Sequence, residues 1–319
     1  MTTKSVLLDI NFQAEGQIAA FRSALTGRTI YERENLDADP ASLTDIAYAV
    51  VWKPQHGLLA KLPNLEAIFS LGAGVDHVLD DPDLPDVPLV RFVDPDLTGR
   101  MVEYVVLQVL MHLRQQRRYD ELQHARTWRE LPQPAAKEFR VGILGFGVLG
   151  RACATALIGL GFQVNGWSRS AKAMEGVQSF AGSAALDNFL GQTDILVSLL
   201  PFTDHTKGFL NKGLISKLAK DGPFGAPVII NAGRGGSQVE DDLIAALQSG
   251  ALHGVSLDVF ETEPLSEDSP LWGFSNAILT PHMAAVSAPE ALASHVARQI
   301  SRLERGEGLE HVVDRLQGY

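Results

Sequence analysis

Residues 139–150 read FRVGILGFGVLG, and this stretch decides the fold class of the 319-residue chain. The segment 141–144 is short and apolar, which is typical of a buried strand. Glycines follow at positions 145, 147 and 150, and a helical pattern begins among them. A strand, a glycine-rich turn and a helix in this order predict the first βα unit of a parallel sheet.

The spacing G-x-G-x-x-G in this setting predicts a dinucleotide-binding turn. Gly145 permits the tight turn, Gly147 lets a pyrophosphate approach the backbone, and Gly150 lets helix and strand pack closely. The N-terminus of the helix presents free N–H groups to the phosphate. The alternative is a glycine-rich turn without a ligand. The predicted cofactor contacts in this turn are Gly145, Phe146, Gly147, Val148, Leu149 and Gly150.

The end of the next predicted strand, 162–167, indicates which dinucleotide binds. An NAD site has an acidic residue here, for the ribose 2′-hydroxyl. This chain instead continues with Ser168, Arg169 and Ser170, and Lys172 follows closely. A guanidinium flanked by hydroxyls suits a 2′-phosphate, so we predict NADPH as the cofactor and NADH as a weaker one. The alternative is that Arg169 is a solvated surface residue.

Composition limits the other classes of function. Hydrophobic residues make up 45% of the chain and charged residues 20%, as in ordinary globular proteins. A formal net charge of −11 argues against nucleic acids and anionic membranes as partners. The single cysteine, Cys153, allows no intrachain disulfide and is expected to be a small packing residue. No apolar run is long enough for a membrane span or signal peptide, so we predict a cytoplasmic protein. We also predict that the protein has no metal site.

The rest of the chain alternates strand and helix patterns. Short apolar runs predict strands at SVLLDI, IAYAVVW, LEAIFSL and PLVRFV in the first third, and at DILVSLLP, APVIINAG, GVSLDVF and NAILTPH later. Helical spacing covers 13–25, 101–118 and 290–305, and the polar stretch 119–138 predicts an arm or linker. Such alternation predicts parallel sheets covered on both faces.

Polar residues follow three of these apolar strands. Arg234 lies in the run VIINAGRGG, Asp258 and Glu263 lie in GVSLDVFETEPL, and His282 lies in AILTPHMAA. Ligands of open parallel sheets bind at the carboxyl ends of the strands. Each residue alone has a structural alternative, such as an ion pair or a loop cap, but their succession behind a dinucleotide motif favours a catalytic site.

These motifs resemble the D-2-hydroxyacid dehydrogenase family. GFGVLG, NAGRG, LDVFETEP and TPH occur in the same order as in that family. Within it, LGAGVDHVL, GWSRS, LLPFTDHT, SPLW and the ending VDRLQGY are similar to the A-type glyoxylate/hydroxypyruvate reductases. The resemblance covers essentially the whole chain. Residues 99–103 (GRMVE) depart from the commoner family pattern.

The resemblance implies roles for the strand-end residues. Arg234 would bind the substrate carboxylate and polarise its keto oxygen, His282 would donate the proton, and Glu263 would pair with His282. The backbone N–H groups of Ala73 and Gly74 would complete the carboxylate site, as an anion nest can; the alternative is a plain turn. The resemblance also implies that Asp258 contacts the nicotinamide carboxamide, while the alternative is that it caps a neighbouring loop.

Two further groups of residues carry weaker predictions. The cofactor contacts predicted outside the glycine turn and the second strand are Leu200, Pro201, Thr206, Ala232 and Gly233. Thr203 lies in the same loop as Thr206, which could equally cap the next helix. Three tryptophans could shape a small substrate pocket, but core packing is the expected role for any one of them: Trp52, Trp128 and Trp272.

The predicted architecture is two Rossmann- or flavodoxin-like α/β domains with the active site in the cleft between them. The resemblance implies that residues 100–286 bind the cofactor, that 1–99 and 287–319 bind the substrate, and that the chain forms a homodimer through the long helix and the arm 119–138. The predicted reactions are glyoxylate to glycolate and hydroxypyruvate to D-glycerate. The alternatives are reduction of a larger 2-oxo acid such as phenylpyruvate, and a non-enzymatic dinucleotide sensor; Glu263 disfavours a formate dehydrogenase, whose relatives carry Gln there.

Overall fold

The computed structural model describes residues 4–11, 15–36 and 43–319. Within these residues the chain forms two compact α/β units. One unit is Thr98–Val286, and the other combines Met1–Leu97 with Ser287–Tyr319. Each unit contains one sheet whose paired strands are all parallel, as the alternation of strand and helix patterns predicted.

The discontinuous unit has a five-stranded sheet of order β2-β1-β3-β4-β5. Its strands are β1 Ser5–Ile10, β2 Ile30–Glu32, β3 Ile46–Trp52, β4 Ala67–Ser70 and β5 Leu89–Val90. Its helices are α1 Glu15–Ala24, α2 Arg33–Leu36, α3 Asp76–Leu79 and α10 Pro289–Glu304, while α4 Pro95–Leu113 starts here and continues into the other unit. Helix α10 packs against α1.

The continuous unit has a seven-stranded sheet of order β12-β11-β10-β9-β6-β7-β8. Its strands are β6 Arg140–Leu144, β7 Gln163–Ser168, β8 Val177–Ala181, β9 Ile195–Ser198, β10 Val228–Asn231, β11 Gly254–Leu257 and β12 Ala277–Leu279. Its other helices are α5 Gln116–His124, α6 Val148–Gly159, α7 Leu186–Leu190, α8 Lys212–Lys217 and α9 Glu240–Ser249.

The central strands of this sheet are apolar along their whole length because both faces are buried. On β10, for example, Ile229 packs into one core cluster, whereas Val228 and Ile230 pack into the cluster on the opposite face. This explains why the sequence reads as continuous apolar runs rather than alternating ones. The chain runs outward from β6 through β7 to β8, then returns to β9 on the other side of β6. The topological switch point, where such sheets bind ligands, therefore lies between β6 and β9.

Several element predictions differ from the structure. The predicted single helix 101–118 is two helices, because α4 ends at Leu113 and α5 begins at Gln116 after Gln115 adopts a positive φ of 54°. Part of the predicted arm 119–138 is thus helical. Strands β2 and β8 were not predicted, because β2 has three residues and β8 reads VQSFA with polar positions inside it. The start of the predicted helix 13–25 lies outside the described residues.

Two tryptophans correct the expectation of core packing. Trp128 is fully exposed and Trp272 is more than half exposed. The core-packing prediction is therefore wrong for both. None of the helices in the part of the chain described here has both the length and the apolar composition needed to cross a bilayer.

Candidate active site

The carboxyl edge of the seven-stranded sheet gathers most of the predicted site residues. Because neighbouring strands are parallel, the loops that follow them emerge at this one edge. Arg234 follows β10, Glu263 follows β11 and His282 follows β12, and these three strands are neighbours in the order β12-β11-β10. The glycine turn follows β6, and Arg169 follows β7. Strand order alone therefore brings distant segments of the sequence to one side of the unit.

His282 and Glu263 form a direct pair. The imidazole Nδ1 lies 2.8 Å from Glu263 Oε2 and 3.1 Å from Oε1. Both side chains are about one-third exposed, at 33% and 27%. A carboxylate on Nδ1 fixes the ring orientation and stabilises the imidazolium, and it leaves Nε2 as the atom that can exchange a proton with a ligand.

Asp258 holds the segment that carries His282. Its side chain, only 1% exposed, accepts hydrogen bonds from the Thr280 hydroxyl at 2.6 Å and from the backbone N–H groups of Met283 and Ala284 at 2.9 Å each. The Asp258 carbonyl also accepts the His282 N–H at 2.7 Å. The structure therefore places this carboxylate as the cap of a neighbouring loop, which was the alternative considered for it. A contact with the nicotinamide stays a prediction.

The backbone of His282 needs this support. Its φ is 52°, in the left-handed region that non-glycine residues rarely adopt. Such a conformation persists only where the surroundings impose it. A second tie comes from helix α4, where the Tyr104 hydroxyl lies 2.9 Å from the Thr280 hydroxyl. Burial raises the pKa of Tyr104, so this hydroxyl stays protonated and able to donate.

Arg234 lies in a tightly held loop after β10. Its carbonyl accepts the Ser237 hydroxyl at 2.6 Å and the Asn231 side-chain amide at 3.2 Å. Its own Nη1 donates to the Gly233 carbonyl at 3.1 Å. Asn231 and Ser237 are both fully buried. The sequence reasoning missed these supports, although buried polar residues beside a site residue are a usual sign of a positioned loop.

The glycine turn after β6 has the shape that a dinucleotide needs. Gly145 has a φ of 91°, and a Cβ there would meet the Leu199 carbonyl oxygen at 2.6 Å. A Cβ on Gly150 would overlap the Gly145 carbonyl oxygen, so close helix–strand packing requires glycine there as well. Gly147, the N-cap of α6, instead faces open space, with no atom within 4 Å of an added Cβ. This open space at a helix N-terminus fits a bound pyrophosphate.

The remaining residues of the turn are placed differently from one another. Val148 is exposed and Leu149 half-buried at the start of α6. Phe146 is 1% exposed, its ring packs on Gly166, and its N–H donates to the Trp167 carbonyl at 3.1 Å. Its ring and N–H are thus already engaged within the unit.

The end of β7 carries the predicted 2′-phosphate site. Arg169 and Ser170 are exposed and Lys172 is half-buried. Ser168 is buried, and its hydroxyl donates to the Ser170 carbonyl at 2.7 Å. The Ser168 hydrogen is therefore committed to the loop itself, while the two cations remain at the surface.

The loops after β9 and β10 touch each other. A Cβ on Gly233 would meet the Leu200 carbonyl oxygen at 2.7 Å, and the N–H of Ala232, which is buried, donates to the Ser198 carbonyl at 3.1 Å. Pro201 and Thr206 close a turn within the loop after β9, since the Thr206 hydroxyl donates to the Pro201 carbonyl at 2.6 Å.

The Thr206 hydroxyl also accepts a hydrogen bond from the Thr203 N–H at 2.8 Å. Helix α8, which Thr206 could have capped, is capped by the side chain of Asn211.

The other unit contains the loop with Ala73 and Gly74, at the carboxyl end of β4. Both residues are half-buried. Within the described residues their backbone N–H groups donate to no protein acceptor, as an anion nest requires. The half-buried Trp52 stands beside this loop: its ring occupies the space of a side chain at Gly72 and lies 4.6 Å from the His77 ring.

Cys153 is fully buried in α6, and burial raises the pKa of its thiol to about 12. Its predicted role as a packing residue is confirmed. In the described ranges, no group of three or more His, Cys, Asp or Glu side chains is arranged to hold a metal ion.

Comparisons with known proteins agree with this architecture. The profile of the family described as D-isomer specific 2-hydroxyacid dehydrogenase, NAD binding domain, matches residues 106–284. A glyoxylate/hydroxypyruvate reductase A of Citrobacter koseri is 42% identical over 314 residues, which is 97% of each chain.

Two solved structures are also close in fold. An NADPH-dependent glyoxylate/hydroxypyruvate reductase of Sinorhizobium meliloti, crystallised with NADP and sulfate, is 52% identical with a TM-score of 0.94, and the match covers 99% of this chain and 100% of that one. A probable 2-hydroxyacid dehydrogenase of Rhizobium etli, in complex with NADP, HEPES and L(+)-tartaric acid, is 49% identical with a TM-score of 0.95 and 99% coverage of both chains.

Proposed function

The chain belongs to the D-isomer specific 2-hydroxyacid dehydrogenase family, and we propose that it reduces small 2-oxo acids with NADPH, converting glyoxylate to glycolate and hydroxypyruvate to D-glycerate. It is an NADP-dependent oxidoreductase, since relatives that match it over nearly their whole length are named as such reductases or were crystallised with NADP. The choice of the two substrates and the roles of individual residues are our proposal.

The single observation that carries the proposal is the His282–Glu263 pair, with Nδ1 2.8 Å from the carboxylate. It stands at a strand end next to the loop of Arg234. A cation, a carboxylate-backed imidazole and a dinucleotide turn on one sheet edge are what the reduction of an anionic ketone requires.

The reaction needs a proton and an anchored substrate from the protein. The guanidinium of Arg234 binds the substrate carboxylate with paired donors and polarises the keto oxygen. Bound NADPH would supply the hydride for the carbonyl carbon. His282, protonated, gives the Nε2 proton to the oxygen, and Glu263 stabilises the imidazolium before that transfer. The neutral imidazole then takes a proton from water, and the product is a 2-hydroxy acid.

The residues that would hold the cofactor follow from the loops described above. The N-terminus of α6 at Gly147 would hold the pyrophosphate, and Arg169 with Lys172 would hold the 2′-phosphate. Leu200, Pro201 and Thr206 form the adenosine side. In the other unit, the backbone N–H groups of Ala73 and Gly74 are proposed to bind an anionic group such as a carboxylate.

We also propose a cytoplasmic homodimer. Two large apolar side chains support the dimer: Leu107 on α4 is 53% exposed, and Trp128 in the arm 119–138 is fully exposed. Burial of these two side chains against a second copy of the chain would remove their apolar surface from water. Analytical ultracentrifugation of Trp128→Glu would test this, since a monomer is expected if the arm makes the contact.

The test of function is a panel of 2-oxo acids assayed with NADPH and with NADH. We expect glyoxylate and hydroxypyruvate to have the highest kcat/KM, and NADPH to be preferred. A higher kcat/KM for phenylpyruvate would replace the proposed substrates with larger ones. Tight NADPH binding without steady consumption in the presence of any 2-oxo acid would indicate a sensor and contradict the enzymatic proposal.

A further inference from the structure

A buried glutamine, Gln238, lies where the loop of Arg234 meets the loop of Glu263. It follows the 3-10 turn Gly235–Ser237 and precedes α9, and it is 2% exposed. It belongs to none of the motifs named above. A glutamine has both an acceptor and two donors, so full burial is costly unless both ends are satisfied.

The first end of Gln238 faces the Arg234 loop. Its Oε1 accepts a hydrogen bond from Asn231 Nδ2 at 2.8 Å. The same Asn231 amide donates to the Arg234 carbonyl at 3.2 Å, and Asn231 Oδ1 accepts the Gly233 N–H at 3.1 Å. Gln238 therefore orients the amide that holds the backbone on both sides of the guanidinium-bearing residue.

The second end faces the loop of Glu263. Gln238 Nε2 donates to the Val259 carbonyl at 2.9 Å. Val259 directly follows Asp258, and the next residue, Phe260, donates its N–H to Glu263 Oε1 at 3.2 Å. The backbones of the two loops touch here, since a Cβ on Gly235 would overlap the Phe260 carbonyl group.

We propose that Gln238 is a positioning residue that fixes Arg234 relative to the Glu263–His282 pair. It touches neither substrate nor cofactor; it acts through Asn231 and Val259. The inference rests on the proposed function, because it assigns to Gln238 the geometry that a reductase of 2-oxo acids would need. Misplacement of catalytic groups by about 1 Å can cost on the order of a hundredfold in rate.

The test replaces Gln238 with methionine, which keeps the length and volume of the side chain. The change removes its hydrogen bonds to Asn231 and Val259, and also a long one of 3.5 Å from Nε2 to Glu240 Oε1. We expect kcat for glyoxylate to fall at least roughly tenfold and KM to rise, because Arg234 and His282 would no longer be held at fixed positions relative to each other. The Kd for NADPH, measured by fluorescence titration, should change much less than kcat, since the glycine turn, Arg169 and Lys172 follow other strands.

A matched control is Gln108→Met. Gln108 is also 2% exposed, and its Oε1 accepts the Ser256 hydroxyl at 2.8 Å in the same unit. This control also removes a buried amide and should lower Tm, but its hydrogen bond goes to Ser256 and not to the loops of Arg234 or Glu263. Its kcat should therefore stay near that of the original chain. Equal kinetic losses in the two variants would show a purely structural effect and overturn the proposal.

A double-mutant cycle removes the remaining ambiguity. If Gln238 acts through Arg234, then Gln238→Met should cost much less in kcat/KM when it is made in an Arg234→Lys background. An equal cost in both backgrounds would refute the positioning role. An original chain without reductase activity would refute the proposed function instead, so the two failures are distinguishable.

Discussion

Replacing Asp258 with asparagine should both destabilise the continuous unit and reduce turnover. The carboxylate accepts three hydrogen bonds, two at Oδ1 from Thr280 and Met283 and one at Oδ2 from Ala284. An asparagine amide can keep the Oδ1 pair, but it then turns an NH2 group toward the Ala284 N–H. One charge-assisted bond is lost and two buried donors face each other.

The magnitude follows from these contacts. A hydrogen bond to a charged group contributes about 1.5–3 kcal/mol, and a buried donor left without an acceptor costs about 1–3 kcal/mol. We therefore expect a loss of about 3 kcal/mol in the free energy of unfolding. In a unit of this size, that corresponds to a fall in Tm of roughly 6–12 °C.

The kinetic consequence has the same origin. His282 has a φ of 52°, and the Asp258 side chain holds the residues on both sides of it. A loosened 280–284 segment should reduce kcat by on the order of a hundredfold, because the acid is no longer held in place.

The assay is calorimetry together with steady-state kinetics on glyoxylate and an NADPH titration. Asp187→Asn is the matched control: Asp187 is 67% exposed and pairs with Lys217 at the surface, so its Tm should shift by less than about 2 °C. An Asp258→Asn variant with unchanged Tm and weakened NADPH binding would refute the capping role and favour a direct contact with the nicotinamide.

Four further variants test other parts of the site. His282→Ala should lower kcat by on the order of a thousandfold while leaving the Kd for NADPH nearly unchanged, and a comparable loss of cofactor affinity would contradict its role as the acid. Arg169→Ala should raise KM for NADPH at least roughly tenfold with little effect on NADH; equal effects on both would remove the 2′-phosphate argument. Gly150→Ala should lower Tm because its Cβ overlaps the Gly145 carbonyl oxygen, whereas Gly147→Ala should melt normally and bind NADPH weakly; a Gly147→Ala variant with normal affinity would contradict the proposed pyrophosphate site.

The sequence predicted those parts of the fold that depend on local pattern. The strands β6, β9, β10 and β11 are buried on both faces, so their continuous apolar runs could be recognised directly. The glycine turn could be recognised because its backbone conformation permits few other residues. Strand β8 could not, because it lies at the edge of the sheet and its polar positions give no clear period.

The supports of the site were harder to predict than its named residues. Arg234, Glu263 and His282 stand out only as a set, because each follows an apolar strand and all three lie behind the dinucleotide motif. Gln238 and Asn231 carry no such signal, because their importance depends on which loops the strand order brings together. Asp258 can be noticed in the sequence because it directly follows an apolar strand, but only the structure shows that its carboxylate oxygens accept hydrogen bonds from the 280–284 segment.

The interrupted unit has a consequence for the order in which the protein matures during synthesis. Helix α1 is translated early, yet its packing partner α10 leaves the ribosome only after the whole Thr98–Val286 unit. The residue that bridges to Val90 from the far end of the chain, Val312, appears later still. The face of α1 that packs against α10 therefore has no partner until residues 289–304 are translated, and apolar surface exposed in this way during synthesis is prone to aggregation.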